Sequence, residues 1–191
     1  MNRRIAAAAI TALILGLTAC NGSDEVTTKP NDTTPAAAPS KADKPSPKPK
    51  AKKAAGIGDS ITVTGSEDGE KLDVTVKKVV DPARSSEDVF GPEDGKRWVA
   101  VQFELTNTGT AVYSDSPSNG TQVADSDGQR FGPTFADVTA GPSMTSDAQV
   151  PPGEKALGYI VFEVPKASKI VTVQFTMNSG YADQTAQWKI S

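Results

Sequence analysis

Apolar and polar side chains alternate in short runs from Gly56 to the end of the chain, which is typical of β-strands that bury one face. The longest predicted strand stops before a turn at residues 107–109, and its apolar face consists of Val99, Val101, Phe103 and Leu105. The other predicted apolar faces are Ile61 and Val63; Leu72, Val74 and Val76; Gly158, Ile160, Phe162 and Val164; and Val171, Val173, Phe175 and Met177, followed by a last strand over residues 184–190. No apolar stripe has the 3.6-residue period of a substantial helix. The pattern predicts an all-β domain, an antiparallel β-sandwich of seven to nine strands in about 135 residues.

Turn signals separate the predicted strands. Pro151-Pro152-Gly153 predicts a tight turn, and Asp127-Gly128 predicts a hairpin turn before Phe131. Two long loops remain, over residues 81–95 and 132–146. Loops of this length within a compact domain are often binding sites.

The first 19 residues have the order of a bacterial secretory signal. Arg3 and Arg4 precede an apolar run of 13 residues, 5–17, which is shorter than the 20 or so that a membrane-spanning helix needs. The run ends in Leu17, Thr18, Ala19 and Cys20, a tetrad that resembles the lipobox of bacterial lipoproteins. The resemblance implies that Cys20 carries diacylglycerol and anchors the mature chain to the outer face of the cell membrane. No cofactor is predicted. The alternative is an uncleaved N-terminal anchor with an incidental cysteine.

Residues 20–55 have the composition of a disordered linker, and residues 56–191 form the predicted domain. Residues 21–55 contain six prolines, seven lysines and four acidic residues, a net charge of +3, whereas residues 56–191 have a net charge of −8. Residues 44–50 are expected to be locally extended as polyproline II. The linker is interpreted as a spacer, with charge attraction to anionic lipid or wall polymer as the alternative. An acidic domain lacks the clustered basic surface that nucleic acid requires.

The sequence contains no histidine, and Cys20 is its single cysteine. Serine–histidine and cysteine–histidine nucleophiles are therefore excluded, as are zinc sites of the usual histidine or cysteine type. No disulfide can form within the chain.

Candidate binding residues are the acidic and aromatic side chains in and around the loops. Four acidic residues of the first long loop could recruit Ca²⁺, although a solvated acidic loop is the simpler interpretation. Asp125-Ser126-Asp127-Gly128 departs from the EF-hand spacing and favours a turn. The aromatic residues Trp98, Tyr113, Tyr159, Tyr181 and Trp188 could form a carbohydrate or partner surface, with core packing as the alternative. The predicted binding residues are Trp98, Tyr113, Glu87, Asp88, Glu93 and Asp94.

Three segments together resemble the bacterial lipoprotein family called domain of unknown function 4352, related to secreted immunoglobulin-like antigens of actinobacteria. They are residues 95–103 (GKRWVAVQF) with Asn107, residues 125–128 (DSDG), and Pro152-Gly153-Glu154 leading into residues 158–165 (GYIVFEVP). The resemblance covers roughly residues 57–190. It implies an immunoglobulin-like sandwich and no particular reaction.

Together these features predict a monomeric lipoprotein of a Gram-positive actinobacterium that binds an envelope protein or wall glycan without catalysing a reaction. Two alternatives remain open. One is a hydrolase of cell-wall material that acts through paired carboxylates, and the other is a passive surface spacer.

Overall fold

Twelve β-strands and two short 3-10 turns make up the regular structure of residues 54–190, the part of the chain that the computed structural model describes. The strands are β1 (Ala55–Gly56), β2 (Ser60–Thr64), β3 (Lys71–Ala83), β4 (Lys96–Asn107), β5 (Tyr113–Asp115), β6 (Thr121–Asp125), β7 (Arg130–Phe131), β8 (Pro133–Thr134), β9 (Ala148–Val150), β10 (Lys155–Pro165), β11 (Ile170–Thr176) and β12 (Thr185–Lys189). The 3-10 turns are Pro117–Gly120 and Asn178–Gly180. Seven strands have five or more residues, and five strands of two or three residues raise the total above the seven to nine that were predicted. No helix in residues 54–190 could cross a membrane.

Ten of the twelve strands form two five-stranded sheets, and β5 and β9 pair as a separate two-stranded sheet. Sheet I has the order β2-β3-β4-β10-β8, and sheet II has the order β1-β12-β11-β6-β7. Every strand pairing is antiparallel except that of β1, which runs parallel to β12 with Ala55 opposite Trp188. The predicted immunoglobulin-like antiparallel sandwich is therefore confirmed, apart from this edge pairing. The signal segment, the lipobox with Cys20 and the linker up to residue 53 lie outside the described residues.

The main core lies between the two sheets. The predicted inward face of β4 is correct, since Val99, Val101, Phe103 and Leu105 are fully buried. Phe103 meets Phe175 of β11 and Trp188 of β12, with ring centroids 6.1 and 6.4 Å apart. Aromatic pairs at such distances contribute about 0.5–1.5 kcal/mol beyond the area they bury. The Trp188 indole N–H is also satisfied, because it donates to the carbonyl of Asp59 at 2.9 Å.

Three register shifts, two in β3 and one in β11, break the alternation from which the strands were predicted. The longest strand is β3, with 13 residues against 12 in β4, and its register shifts between Val76 and Lys78 and again between Val80 and Ala83. In β11 the register shifts between Ile170 and Thr172. Ile170 is consequently buried and Val171 only partly so, contrary to the predicted face. A bulge adds one residue to a strand and so changes the face that the following side chains occupy.

Both predicted turns are present. The Asp125 carboxylate accepts hydrogen bonds from the amides of Asp127 at 3.1 Å and Gln129 at 2.8 Å, and Gly128 has a φ of 85°. This turn joins β6 to β7 and uses the carboxylate that a calcium loop would need. Gly153, with a φ of 83°, closes the turn before β10. The residues within each turn therefore determine where the chain reverses direction.

Asn107 ends β4 through its side chain. The Asn107 amide donates to the carbonyls of Ala111 at 2.8 Å and Val150 at 2.7 Å, and its oxygen accepts from the amide of Gly109 at 2.9 Å. The side chain is 1% exposed and fully hydrogen-bonded. It therefore joins three chain segments at one end of the sandwich, which explains an asparagine at the end of this strand.

Candidate functional site

The outer face of sheet I carries a second apolar cluster, separate from the main core. Trp98 and Ala100 point away from the core, because they alternate with Val99 and Val101 along β4. The buried members of this cluster are Ala83, Trp98, Ala100, Val138, Tyr159 and Val161. A sheet face exposed to solvent is normally polar, so this apolar face must be covered by other parts of the chain.

Two loops supply this cover, here named loop A (residues 84–95) and loop B (residues 135–147). They lie within or next to the ranges predicted as long loops. The Ser86 amide of loop A donates to the Asp137 carbonyl of loop B at 3.0 Å, and the Thr139 amide donates to the Arg84 carbonyl at 3.0 Å. Segments about 50 residues apart in the sequence are therefore hydrogen-bonded side by side.

Loop B also lies directly on β10. The Met144 amide donates to the Tyr159 carbonyl at 2.8 Å, and the Tyr159 amide donates to the Pro142 carbonyl at 2.9 Å. Gly158 makes this approach possible, because a Cβ at that position would lie 2.5 Å from the Cα of Met144. The glycine in the predicted apolar face of β10 is thus a contact point for the loop.

A groove of about 760 Å³ opens between loop A, loop B and sheet I. Its lining includes Ser86, Glu87 and Phe90 from loop A; Phe135, Asp137 and Met144 from loop B; and Trp98, Tyr159 and Val161 from the sheet. Large apolar side chains on the loops are turned to solvent: Phe135 is 95% exposed and Phe90 is 67% exposed, and neighbouring Val89 is 83% exposed. Exposed aromatic side chains that line the same groove are typical of an interaction site.

Glu163 of β10 is held at the side of the groove by three donors. Its carboxylate accepts from the Lys96 ammonium at 3.0 Å, the Glu93 amide at 3.1 Å and the Trp98 indole N–H at 3.3 Å. Burial by itself would raise the pKa of Glu163, but these hydrogen bonds outweigh it and lower the pKa below its usual value. The carboxylate is therefore anionic at neutral pH and fixes the Trp98 ring.

The neighbouring Arg97 anchors the end of β3. Its guanidinium makes two hydrogen bonds to the Asp81 carboxylate, at 2.6 and 2.8 Å, and also donates to the carbonyls of Pro165 and Ser168. The hydrogen bonds to Asp81 raise the pKa of Arg97. Consecutive residues Lys96, Arg97 and Trp98, which carry the family resemblance, thus hold the base of loop A.

The electrostatic character of the groove is acidic. Its lining contains the carboxylates of Glu87, Asp137 and Glu163 and, among the described residues, no lysine or arginine. The Ser143 hydroxyl donates to the Asp137 carboxylate at 2.6 Å. Within residues 54–190, no group of three or more Asp, Glu, His or Cys side chains is arranged to hold a metal ion.

The structure separates the residues predicted to bind. Trp98 is 6% exposed beneath the loops and lines the groove, whereas Tyr113 is 3% exposed in the main core. Glu87, Asp88, Glu93 and Asp94 are exposed on loop A, as a solvated acidic loop would be. Of these four only Glu87 lines the groove, and Glu93 pairs with Lys96 at 2.6 Å.

The remaining aromatic candidates are scattered. Trp188 is in the main core, Tyr159 is 4% exposed beneath loop B, and Tyr181 is 87% exposed outside the groove. They form no common platform. The sequence interpretation missed Phe90 and Phe135, although a large aromatic residue within a loop rich in glycine, proline and acids is a visible signal.

The comparison with protein families decides where this fold belongs. Residues 58–186 match the family described as domain of unknown function (DUF4352). The chain belongs to this family. The match agrees with the resemblance carried by residues 95–103 with Asn107, by residues 125–128, and by residues 152–154 with residues 158–165.

Several solved structures of low sequence identity are similar to this chain. The candidate lipoprotein ycdA of Bacillus subtilis superposes with a TM-score of 0.50 at 17% identity, over 68% of this chain and 39% of that chain. This chain therefore spans about two fifths of ycdA. The yjhA protein of Bacillus subtilis superposes with a TM-score of 0.51 at 15% identity, over 72% of this chain and 99% of that chain. The secreted protein MPT63 of Mycobacterium tuberculosis gives a TM-score of 0.49 at 18% identity, over 73% of this chain and 99% of that chain.

No curated protein matches the sequence. At these identities the two Bacillus subtilis structures indicate a shared fold alone, so the function has to be inferred from the residues of this chain.

Proposed function

We propose that this protein is an extracytoplasmic lipoprotein that binds an envelope protein or wall component, without catalysis, in the groove between loops A and B. The observation that carries the proposal is the exposure of Phe135 and Phe90 beside a groove with Trp98 at its base. Exposed aromatic side chains are unfavourable in water and are retained where a partner covers them.

The proposed binding surface is presented by a rigid support. Loop B is hydrogen-bonded to β10, loop A is hydrogen-bonded to loop B, and Arg97 anchors the base of loop A. Binding to a preorganised surface loses less conformational entropy than binding to a free loop. The two predicted long loops therefore act as one surface in this proposal.

The non-enzymatic part of the proposal rests on the side chains near the groove. The chain has no histidine, and the Ser143 hydroxyl donates to the carboxylate of Asp137, which is exposed, so no buried general base is paired with this hydroxyl. A hydrolase of wall material remains the rival. It would be favoured if the purified protein cleaved wall fragments and Asp137→Asn or Glu163→Gln abolished the cleavage.

The anchoring part of the proposal rests on the tetrad that ends in Cys20. Two acyl chains on the cysteine give stable membrane attachment, which a single chain does not. We expect Cys20→Ala to release the protein into the medium or to leave a longer precursor. Intact mass and membrane fractionation test this, and an unchanged mass with unchanged membrane association would contradict it.

A photo-crosslinking phenylalanine analogue at position 135 tests the groove on intact cells. The matched control places the same analogue at position 181, because Phe135 and Tyr181 are both highly exposed aromatic residues and only Phe135 lines the groove. We expect one envelope protein or wall polymer to be captured repeatedly from position 135 and not from position 181. Equal capture at both positions, or none at either, would favour the passive spacer.

A further inference from the structure

The outer face of sheet II differs in charge from the rest of the domain. Apart from Val171 at the register shift of β11, the side chains that alternate with the core residues of β6, β7, β11 and β12 are glutamine, threonine, alanine, lysine and arginine. Arg130 and Lys189 give this face a charge of +2, whereas residues 56–191 have a net charge of −8. Asp125, the one acidic residue of these four strands, is 4% exposed and binds the amides of its own turn. An acidic domain thus presents a polar face whose charge is positive.

Three glutamines form one row across this face. Gln174 of β11 lies directly opposite Gln122 of β6 and Gln187 of β12. The Arg130 guanidinium of β7 donates to the side-chain oxygen of Gln122 at 3.3 Å and to that of Gln174. The Gln174 amide nitrogen in turn donates to the side-chain oxygen of Gln187 at 2.6 Å. The four side chains therefore form one hydrogen-bonded network.

Arg130 sets the direction of this network. A guanidinium has donors and no acceptor, so the glutamine oxygens that contact it must face it. The amide nitrogen of Gln174 then faces Gln187, whose oxygen accepts its hydrogen bond. All three glutamine oxygens are engaged, while the amide nitrogens of Gln122 and Gln187 donate to no protein atom within residues 54–190. Gln187 is exposed and Gln122 partly exposed. The network therefore offers N–H donors to a ligand that is rich in oxygen acceptors.

The two cations lie at opposite ends of the neighbouring row. Arg130 of β7 is opposite Ala124 of β6, and Ala124 is opposite Thr172 of β11. Thr172 is in turn opposite Lys189 of β12. Neighbouring strands are about 4.8 Å apart, so the backbones at Arg130 and Lys189 are separated by about 14 Å. The side chains between them are small. Because the glutamines hold Arg130, a small anion would contact one cation, whereas an extended polyanion can lie over the small side chains and contact both.

We propose that the outer face of sheet II binds an anionic wall polymer of phosphodiester-linked polyol units. Its phosphates pair with Arg130 and Lys189, and its oxygen atoms accept from the side-chain amides of Gln122 and Gln187. Hydrogen bonds from a guanidinium or an ammonium group to phosphate are stronger than those between neutral groups. None of these four residues lines the groove between loops A and B. The site is therefore separate from that of the proposed function and adds a second ligand.

The composition of the face disfavours other polyanions. Among the described residues, no aromatic side chain alternates onto it, so nucleic-acid bases have no ring on which to stack. Its two cations are fewer than the four to eight or so that direct a protein to anionic lipid surfaces. An acyclic polyol phosphate needs neither stacking nor a dense basic cluster, because it can contact several spaced donors at once.

A nuclear magnetic resonance titration of the full chain carrying Cys20→Ala tests the proposal. The probe is a synthetic glycerol phosphate oligomer, with uncharged polyglycerol as its control. We expect the oligomer to cause saturable shifts of the side-chain amide resonances of Gln122 and Gln187 and of the Arg130 Nε–H, while the amides of loops A and B and the polyglycerol samples show none. Because these resonances report on sheet II, attachment of the oligomer to lysines elsewhere in the chain does not imitate the result.

Two double variants separate a built site from general charge attraction. Arg130→Gln with Lys189→Gln should weaken binding at sheet II by about tenfold or more and lower the salt dependence by about one ion for each cation removed. Gln187→Glu should also weaken binding, since a carboxylate replaces a donor. The matched control, Lys77→Gln with Lys155→Gln, removes the same charge from exposed lysines of sheet I and should change the affinity by less than about twofold.

Three results would overturn the proposal. They are equal losses of affinity in the two double variants, shifts spread evenly over the domain, and shifts of equal size with phosphatidylglycerol vesicles or with single-stranded DNA of the same charge. The last result would mean that the face attracts polyanions in general. None of these results affects capture from position 135, so the proposed function is tested separately.

Discussion

Replacing Gly158 with alanine tests whether loop B depends on the missing side chain in β10. An alanine Cβ at this position would lie 2.5 Å from the Cα and 2.6 Å from the amide nitrogen of Met144. Ordinary contact begins at 3.4 Å, and these are backbone atoms that no side-chain rotation can move away. Loop B must therefore retreat by about 0.9 Å, the difference between the contact distance and the shorter approach.

That retreat breaks the two hydrogen bonds between loop B and β10. The bonds from Met144 to the Tyr159 carbonyl and from Tyr159 to the Pro142 carbonyl, at 2.8 and 2.9 Å, would both lengthen beyond hydrogen-bond range. Each contributes about 1 kcal/mol net. We expect Gly158→Ala to lower the free energy of unfolding by about 2 kcal/mol, which agrees with the 1–3 kcal/mol typical of overpacking.

Gly132→Ala is the matched control, because Gly132 lies just before β8, has no positive φ, and would place an added Cβ with no heavy atom within 4 Å. It should be neutral or stabilise by up to about 1 kcal/mol through the unfolded chain. Urea unfolding followed by tryptophan fluorescence measures both variants, and a midpoint about 1 M lower is expected for Gly158→Ala. Hydrogen exchange should show faster exchange at the Met144 and Tyr159 amides. Equal stability of the two variants with both amides still protected would refute the reasoning.

Two further substitutions have effects with a definite sign. The hydroxyl of Tyr113 is buried without a hydrogen-bond partner, so Tyr113→Phe should raise the unfolding free energy by about 1 kcal/mol. Burial also raises the pKa of Tyr113 above its ordinary value of 10, so the native protein loses stability above pH 10, where the tyrosine of the unfolded chain ionises. Thermal melts should therefore show a larger gain in stability for the variant above pH 10 than at pH 7. The pKa of Glu163 is lowered, so its contribution is complete above pH 4.5 and is lost as the pH falls through the folded value. Glu163→Gln should therefore weaken the dependence of the unfolding free energy on pH below 4.5. The control Glu104→Gln should not, because the ion pairs of Glu104 are longer, at 3.5 and 3.8 Å. The same dependence on pH in both variants would contradict this.

The location of Trp98 shows what alternation predicts and what it does not: it gives the strand face but not the exposure of the side chain. Because Trp98 alternates with Val99, it lies on the face of β4 that points away from the main core. Whether that face was open to a ligand depended on loops A and B, which cover the ring to 6% exposure. Tyr113 lies instead in the main core, because it belongs to β5, a short strand that was not predicted. Residue type therefore identified aromatic candidates, and tertiary packing decided which of them meets the groove.

The sequence by itself determined the all-β class, most inward faces and the turns at residues 125–128 and 151–153. These features depend on backbone stereochemistry and on side chains a few residues apart, such as the Asp125 carboxylate and the amides that follow it. The tertiary structure decided the bulges, the meeting of loops A and B and the exposure of Phe90 and Phe135. Each of these depends on contacts between residues distant in the sequence, such as Met144 lying against Gly158 or Ser86 against Asp137, and the composition of a single segment does not encode which distant segment will cover it.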